Sequence, residues 1–445
     1  MLVITGGLVH SVSAARGEPR DIVVEGDVIA DIVAPGAVRN ANAEVIDASR
    51  RLIIPGLINA HTHSHGGLSK GVGDLWELDL LLNAAPWIGG SRSHEDKHLS
   101  ALINAIEHVE KGSTACYDLF FEFPAPSIEG MEAVANAYAK VGLRAVIAPM
   151  VADLTFYQAV PGLIDALPDD ARDRAGKMRM GGADATVAAL RRLGATWSHP
   201  RDRLRLGIAP TIPHHCTREF MIACRDIARE HDLAMQTHVS EAKYQGVSTF
   251  KMFGKSTVEG MDACGLVGPW FSAAHCPARG TVSMLVITGG LVHLVSSARG
   301  EPRDIVVEGD VIADIVAPGG QPPPDHDGSA SSDNQNMFEA MRAAAFVSRV
   351  RGLPPADWVS TAEAFVMATE GSARVPGYGG LRRQDRQGLQ SRPRAARPRP
   401  RQFRYRSNNA TNQIVFTEKS ARPTLSGADA DGNAVADVFA DRRDA

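Results

Sequence analysis

The chain has few of the features that would assign it to a specialised class of protein. Only five of its 445 residues are cysteines and no two form a Cys-x-x-Cys pair, so no disulfide framework is expected and a reduced, cytoplasmic setting is favoured. No apolar run approaches the roughly 18 residues that a membrane span needs, so no membrane partner is expected. A formal net charge of −4 gives no general reason to expect nucleic acid as a partner. The hydrophobic fraction of 44% leaves a globular protein with a sizeable core.

The most informative stretch is residues 52–70, where an apolar run broken by Pro55 and Gly56 leads into His61 and His63. In a strand, residues i and i+2 lie on the same face, so both imidazoles point the same way. Two nitrogens at the end of a strand can bind one divalent metal ion. The alternative is a pair of surface histidines on a turn, and the preceding apolar run makes it the weaker interpretation.

The distribution of apolar residues divides the chain into a small β domain and a larger α/β domain. Residues 1–55 contain short strands separated by glycine turns, as in a small β-sheet. From residue 56 onward, strand-like runs alternate with helical patterns, and six such steps predict a (β/α)8 barrel over residues 56–378. The predicted strands are 57–63, 114–118, 144–151, 204–210, 233–238 and 270–275. The predicted helices are 97–111, 128–141, 184–194, 217–231, 256–264 and 336–350.

An internal repeat interrupts this pattern. Residues 284–319 match residues 1–36 except at Leu294 and Ser297. The copy stands where barrel strands seven and eight are expected, and we interpret it as a recent duplication or an assembly error in the gene. The Gly-Asp turn at residues 309–310 has hairpin chemistry, so a hairpin rather than two parallel barrel strands is predicted there.

The C-terminal region, residues 379–445, also departs from a globular composition. Residues 382–406 contain ten arginines in 25 positions, interleaved with prolines. A basic nucleic-acid-binding tail and a solvated tail are two interpretations. We favour a third, out-of-frame translation of GC-rich DNA, which replaces the strands expected from the rest of the small domain.

Four further residues follow predicted strands or lie in a polar motif: His238, Glu241, His275 and Asp327. A set of nitrogen ligands with one carboxylate suits Zn²⁺ or Fe²⁺, which accept mixed shells with an open position for water. A carboxylate next to such a site can take a proton from water and pass it to a leaving group. Glu241 is placed for that task, three residues after His238.

These residues carry a family resemblance. The motifs Leu-Ile-Asn-Ala-His-Thr-His, Gln-Thr-His-Val-Ser-Glu, Ala-Ala-His-Cys and Asp-Gly-Ser-Ala-Ser-Ser-Asp-Asn together resemble the metal-dependent amidohydrolase superfamily, in its cytosine/guanine deaminase and triazine hydrolase branch. The resemblance covers roughly residues 1–276 and 327–378. It implies Glu241 as the proton shuttle, His275 as the group that polarises substrate or orients water, and a β-sandwich built from both termini. The metal ligands that it implies are His61, His63, His238 and Asp327.

The function implied by the resemblance is hydrolytic deamination of a small nitrogen heterocycle (purine, pyrimidine or triazine) with one divalent metal ion, zinc or alternatively iron. His65 and His214 are candidate substrate-contacting residues, His65 because it follows His63 by two positions. The sequence leaves open whether the chain forms a homo-oligomer. The competing hypothesis is a catalytically inactive remnant, because residues 321–325 contain three prolines and cannot supply a central strand before Asp327.

Overall fold

The computed structural model contains two large β-sheets of different character and two two-stranded sheets. The residues that the structure describes are 1–10, 17–26, 28–49, 51–73, 76–177, 181–275, 335–350, 355 and 358–375, with the strand segments 286–288, 291–293, 304–308, 311–316, 393–396, 423–425 and 437–439.

The larger domain is built on a nearly closed sheet of six parallel strands, as the sequence predicted. In spatial order the strands run β11-β10-β9-β8-β7-β6, so sequential strands are neighbours. Their bounds are β6 Leu57–Thr62, β7 Ser113–Phe121, β8 Arg144–Val151, β9 Leu204–Pro210, β10 Ala234–Val239 and β11 Phe271–His275. Within the part of the chain that the structure describes, no seventh or eighth strand joins this sheet.

Both faces of the barrel strands are covered, which explains their continuous apolar sequences. Every residue of β8 is buried. Along β7, Cys116 and Phe120 face the helices, while Tyr117 and Leu119 face the barrel interior. The helices around the barrel are α1 Leu78–Gly89, α2 His94–Glu110, α3 Ile128–Val141, α4 Phe156–Ala159, α5 Leu163–Ala166, α6 Asp169–Lys177, α7 Ala183–Thr196, α8 Arg218–Glu230, α9 Lys243–Phe253 and α10 Thr257–Ala263.

Two helices from the C-terminal part of the described chain pack against the first barrel strand. They are α11 Met337–Val350 and α12 Thr361–Val366, and they form one apolar cluster with Leu57 at the start of β6. Gln335 precedes α11, and its side-chain oxygen accepts hydrogen bonds from Asn59 at 3.1 Å and Thr62 at 2.9 Å. Residues 335–350 and 358–366 therefore cover β6, the strand that leads into the histidine pair.

The smaller domain is a separate mixed sheet. Its N-terminal strands are β1 Leu2–Val9, β2 Glu18–Glu25, β3 Val28–Val33, β4 Glu44–Asp47 and β5 Leu52–Pro55. A short C-terminal strand, β16 Pro393–Ala396, pairs antiparallel with β5. Residues from both ends of the chain thus contribute to this sheet, the C-terminal ones through a segment of arginine-rich composition.

The described parts of the repeated segment form two antiparallel strand pairs, and the second agrees with the hairpin predicted around residues 309–310. Strands β12 Val286–Thr288 and β13 Leu291–His293 pair antiparallel, as do β14 Asp304–Glu308 and β15 Val311–Val316. The register of the second hairpin, from Asp304 opposite Val316 to Glu308 opposite Val311, repeats that of β2 and β3 in the first copy. These four strands belong to two-stranded sheets outside the barrel sheet.

No helix in the described ranges is long and apolar enough to cross a membrane.

Candidate active site

Three histidines meet at the carboxyl end of the barrel sheet, at the position expected for the active site of this fold. His61 and His63 come from the end of β6, and His238 comes from β10 on the other side of the barrel. One ligand atom from each lies within 4.8 Å of the others. The prediction that these residues share one site is confirmed.

Backbone carbonyls fix the protonation of two of these imidazoles. Nδ1 of His63 lies 2.8 Å from the carbonyl oxygen of Leu119, and Nδ1 of His238 lies 2.5 Å from that of Thr211. A carbonyl can only accept, so each Nδ1 carries the proton. The two Nε2 atoms, 3.0 Å apart, therefore face each other with their lone pairs.

A glutamine fixes the third imidazole. The side-chain nitrogen of Gln236 donates to the carbonyl oxygen of Ala60 at 3.1 Å and to the hydroxyl of Ser272 at 2.9 Å. Its oxygen therefore faces Nδ1 of His61 at 2.7 Å and accepts that proton. His61 is thus also held with Nε2 available as a ligand, because orientation of the second ring nitrogen sets which nitrogen binds a metal.

This arrangement fits a divalent metal ion. Lone pairs that converge at 3 Å repel each other unless a cation lies between them, and imidazole nitrogen suits zinc and neighbouring transition metals. Burial, and then the neighbouring His61, lower the pKa of His238 well below its ordinary value. The imidazole is therefore neutral, which is the form that binds metal.

Asp118 on β7 holds the turn that carries His63 in place. The buried carboxylate of Asp118 accepts hydrogen bonds from the backbone N–H of Ser64 at 2.8 Å, from the Ser64 hydroxyl and from the Tyr138 hydroxyl at 2.9 Å. Burial raises the pKa of Asp118, while its hydrogen bonds act in the opposite direction. Since Ser64 directly follows His63, these contacts restrict the position of the ligand.

Glu241 and His275 lie beside the three histidines. Glu241 lines the cavity next to His63 and His238, and its Oε1 lies 3.8 Å from Nε2 of His275. The His275 ring centroid is 5.1 Å from that of His61, although the two residues lie on opposite edge strands of the barrel sheet. Ser240 and His275 have positive φ values of 53° and 67°, a backbone conformation that non-glycine residues adopt mainly where function or packing imposes it.

The two candidate substrate-contacting histidines lie in different environments. His65 lines the cavity, and its Nδ1 accepts a hydrogen bond from the backbone N–H of Phe121 at 3.2 Å. His214 is buried against His215 and Tyr244, with ring centroids 4.6 and 5.7 Å away, and it is His215 that lines the cavity. Burial lowers the pKa of His214 to about 4 and that of His215 to about 3. Asp327 lies outside the described residues and stays a prediction.

The cavity above the histidines is lined mainly by residues of α1 and of the segment after β8. Its apolar lining residues are Leu78, Leu81, Leu82, Ala85, Pro86, Ile88, Phe121, Met150, Ala152, Leu154, Phe156 and Ile212. The sequence patterns did not predict this lining, because they did not indicate a helix at α1.

The chain belongs to the amidohydrolase family, whose family profile matches residues 52–277. It is 29% identical over 362 residues to 5'-deoxyadenosine deaminase of Methanothermobacter thermautotrophicus, covering 80% of this chain and 76% of that one. It is 24% identical over 395 residues to 5-methylthioadenosine/S-adenosylhomocysteine deaminase of Desulforamulus reducens, covering 87% and 82%.

Solved structures share the same fold at lower identity. Atrazine chlorohydrolase TrzN from Arthrobacter aurescens TC1, complexed with zinc, aligns with a TM-score of 0.72 at 19% identity over 99% of this chain and 97% of that chain. An adenosine deaminase from Xanthomonas campestris with bound zinc aligns with a TM-score of 0.68 at 19% identity, covering 93% and 88%.

Proposed function

We propose that this chain is a zinc-dependent aminohydrolase that replaces an amino group on an aminopurine or aminotriazine ring with oxygen from water. The observation that carries this proposal is the convergence of His61, His63 and His238 at the floor of a cavity that Glu241 also lines. The names of the curated relatives, which are deaminases of adenine nucleosides, support the reaction type. The zinc in the two solved structures supports zinc rather than iron.

The metal would be held by His61, His63 and His238. When bound, it supplies a Lewis acid that lowers the pKa of water from about 15.7 to roughly 7. We propose Asp327 as a further ligand, on the sequence motif alone. The hydrogen bonds from Nδ1 of the three histidines hold the rings in place, so the site needs little reorganisation when it is occupied.

The proton transfers are assigned to Glu241. Its carboxylate takes a proton from the attacking water as the new carbon–oxygen bond forms at the ring. It then gives the proton to the departing nitrogen as the carbon–nitrogen bond breaks, and ammonia leaves. His275, with Nε2 3.8 Å from the carboxylate, would orient the water or polarise the ring.

Ammonia release from 9-ethyladenine and from N-ethylmelamine, measured together with the metal content of the purified chain, tests this proposal. We expect release from at least one of the two rings at about one zinc per chain, and loss of release in Glu241→Gln. A fully metal-loaded chain that releases ammonia from neither ring would contradict the proposal and favour the catalytically inactive remnant.

A further inference from the structure

The cavity next to the metal-binding histidines is lined by apolar side chains from two segments of the chain. Leu81 and Pro86 on α1 form part of one wall, and Leu154 and Phe156 on the segment after β8 form part of the other. The hydroxyl of Tyr157 donates to the side-chain oxygen of Asn83 at 2.8 Å, which links the two walls. A flat ring bound near the histidines would therefore extend its substituent along mainly apolar side chains.

The walls carry few polar side chains, and several of these already bond to other groups of the protein. Asn83 and Tyr157 bond to each other, and the guanidinium of Arg92 donates to the carbonyl oxygen of His65 and to the hydroxyl of Ser69. Among the described residues that line the cavity, Glu241 is the sole carboxylate, and it lies at the metal-binding histidines.

These contacts distinguish two kinds of substituent. A ribose ring brings a pair of hydroxyls, and the mainly apolar walls offer them few partners once they have left water. Unpaired buried hydroxyls would weaken binding on the order of tenfold or more. An alkyl group has no such requirement, and each buried methylene group strengthens binding by about fourfold, from ~0.8 kcal/mol per methylene and 1.36 kcal/mol per factor of ten.

We propose that the substrate of this chain is an uncharged amino-heterocycle with an apolar substituent, held between α1 and the segment after β8, rather than a nucleoside with a free ribose. This inference rests on the proposed function for the choice of ring. It concerns the substituent, which the metal-binding residues do not select.

A matched series on one ring tests the substituent alone: adenine, 9-ethyladenine, 9-butyladenine and adenosine, titrated calorimetrically into the full chain. We expect affinity to rise about fifteenfold from the ethyl to the butyl compound, and adenosine to bind at least tenfold more weakly than 9-butyladenine. Ammonia release from each compound is followed separately, so binding and reaction are scored independently.

Two neighbouring leucines of α1 provide a matched pair of variants. Leu81 lines the cavity, whereas Leu80 is 48% exposed and does not. Leu81→Ser should reduce the gain between the ethyl and butyl compounds to less than threefold, and Leu80→Ser should leave it unchanged. Phe156→Ser, on the segment after β8, serves as a second variant if Leu81→Ser does not fold.

Adenosine binding as tightly as 9-butyladenine, or equal gains in the Leu81→Ser and Leu80→Ser variants, would overturn the inference. Failure of the proposed function has a different result. In that case the affinity gradient would be present while none of the compounds released ammonia.

Discussion

The side-chain oxygen of Gln236 lies 2.7 Å from Nδ1 of His61, across the interior of the barrel from β10 to β6. The same amide holds Ala60 and Ser272 through its nitrogen, so its orientation is determined by three strands. One uncharged side chain thereby decides which nitrogen of His61 faces the metal position.

Replacing this glutamine should weaken metal binding without removing a ligand. Gln236→Leu is expected to lower zinc affinity by about 10- to 100-fold, the usual cost of losing a partner of a metal-binding histidine. Gln236→Glu keeps an acceptor for His61 and should retain more of the affinity. Competition with a calibrated chelator measures both, and wild-type affinity in Gln236→Leu would show that His61 is held by other contacts.

Replacing one of the three metal-binding histidines should lower metal binding more than replacing Gln236 does. His61→Ala and His63→Ala are each expected to abolish stoichiometric metal, because each takes away one of three converging nitrogens. His94 is exposed at the start of α2, so His94→Ala is the control that should keep full occupancy. Elemental analysis of the purified variants gives the result, and full occupancy in either triad variant would refute the ligand assignment.

Glu241→Gln separates proton transfer from metal binding. The variant should keep its metal and lose about 10²-fold or more in turnover, the range for a lost general acid–base group. Glu95→Gln, on an exposed position of α2, is the control. Turnover within a few-fold of the parent would place the proton shuttle elsewhere.

Acid should destabilise the fold through buried histidines that lie outside the triad. Burial lowers the pKa of His214 from 6.5 to about 4, so below pH 6.5 the unfolded chain binds a proton that the folded chain does not. Folding stability should therefore fall as the pH drops from 7 to 4. This residue contributes up to about 3 kcal/mol of the loss, because its pKa is about 2.5 lower in the folded chain than in the unfolded chain and each pKa unit corresponds to 1.36 kcal/mol.

Urea unfolding between pH 4 and 7 tests the acid effect. His214→Phe should flatten the dependence, and His215, whose pKa burial lowers to about 3, should maintain part of it. His94→Phe, on an exposed position, should leave the profile unchanged. A His214→Phe profile parallel to that of the parent would show that other groups cause the acid effect.

The sequence predicted the barrel strands well because their signal is local. The apolar runs at residues 144–151 and 204–210 match β8 and β9 at both ends, and the helix at 128–141 matches α3. The helix α1 was missed because Pro86 lies inside it, and a proline in a helix interior is usually disfavoured. In α9, Gly246 and the branched Val247 and Thr249 also weaken the helical pattern.

The site was predicted through its ligands but not through the groups that hold them. Leu119 and Thr211 act through backbone carbonyls, which any residue has, so their identity carries no signal. Gln236 could have been found, since it precedes His238 by two positions in a strand and must share its inward face. Asp118 ended a predicted strand, but only the fold shows that it binds Ser64.

Helix α1 has no fully buried residue, whereas β7 and β8 are buried almost throughout. Segments with little buried apolar surface open at a small fraction of the global unfolding free energy. The amide protons of α1 should therefore exchange with solvent through local opening, whereas those of β8 should exchange only when the whole domain unfolds. The wall that α1 contributes to the cavity is therefore weakly protected, and a ligand that packs against Leu81 would slow amide exchange in α1 before it slowed exchange in the barrel.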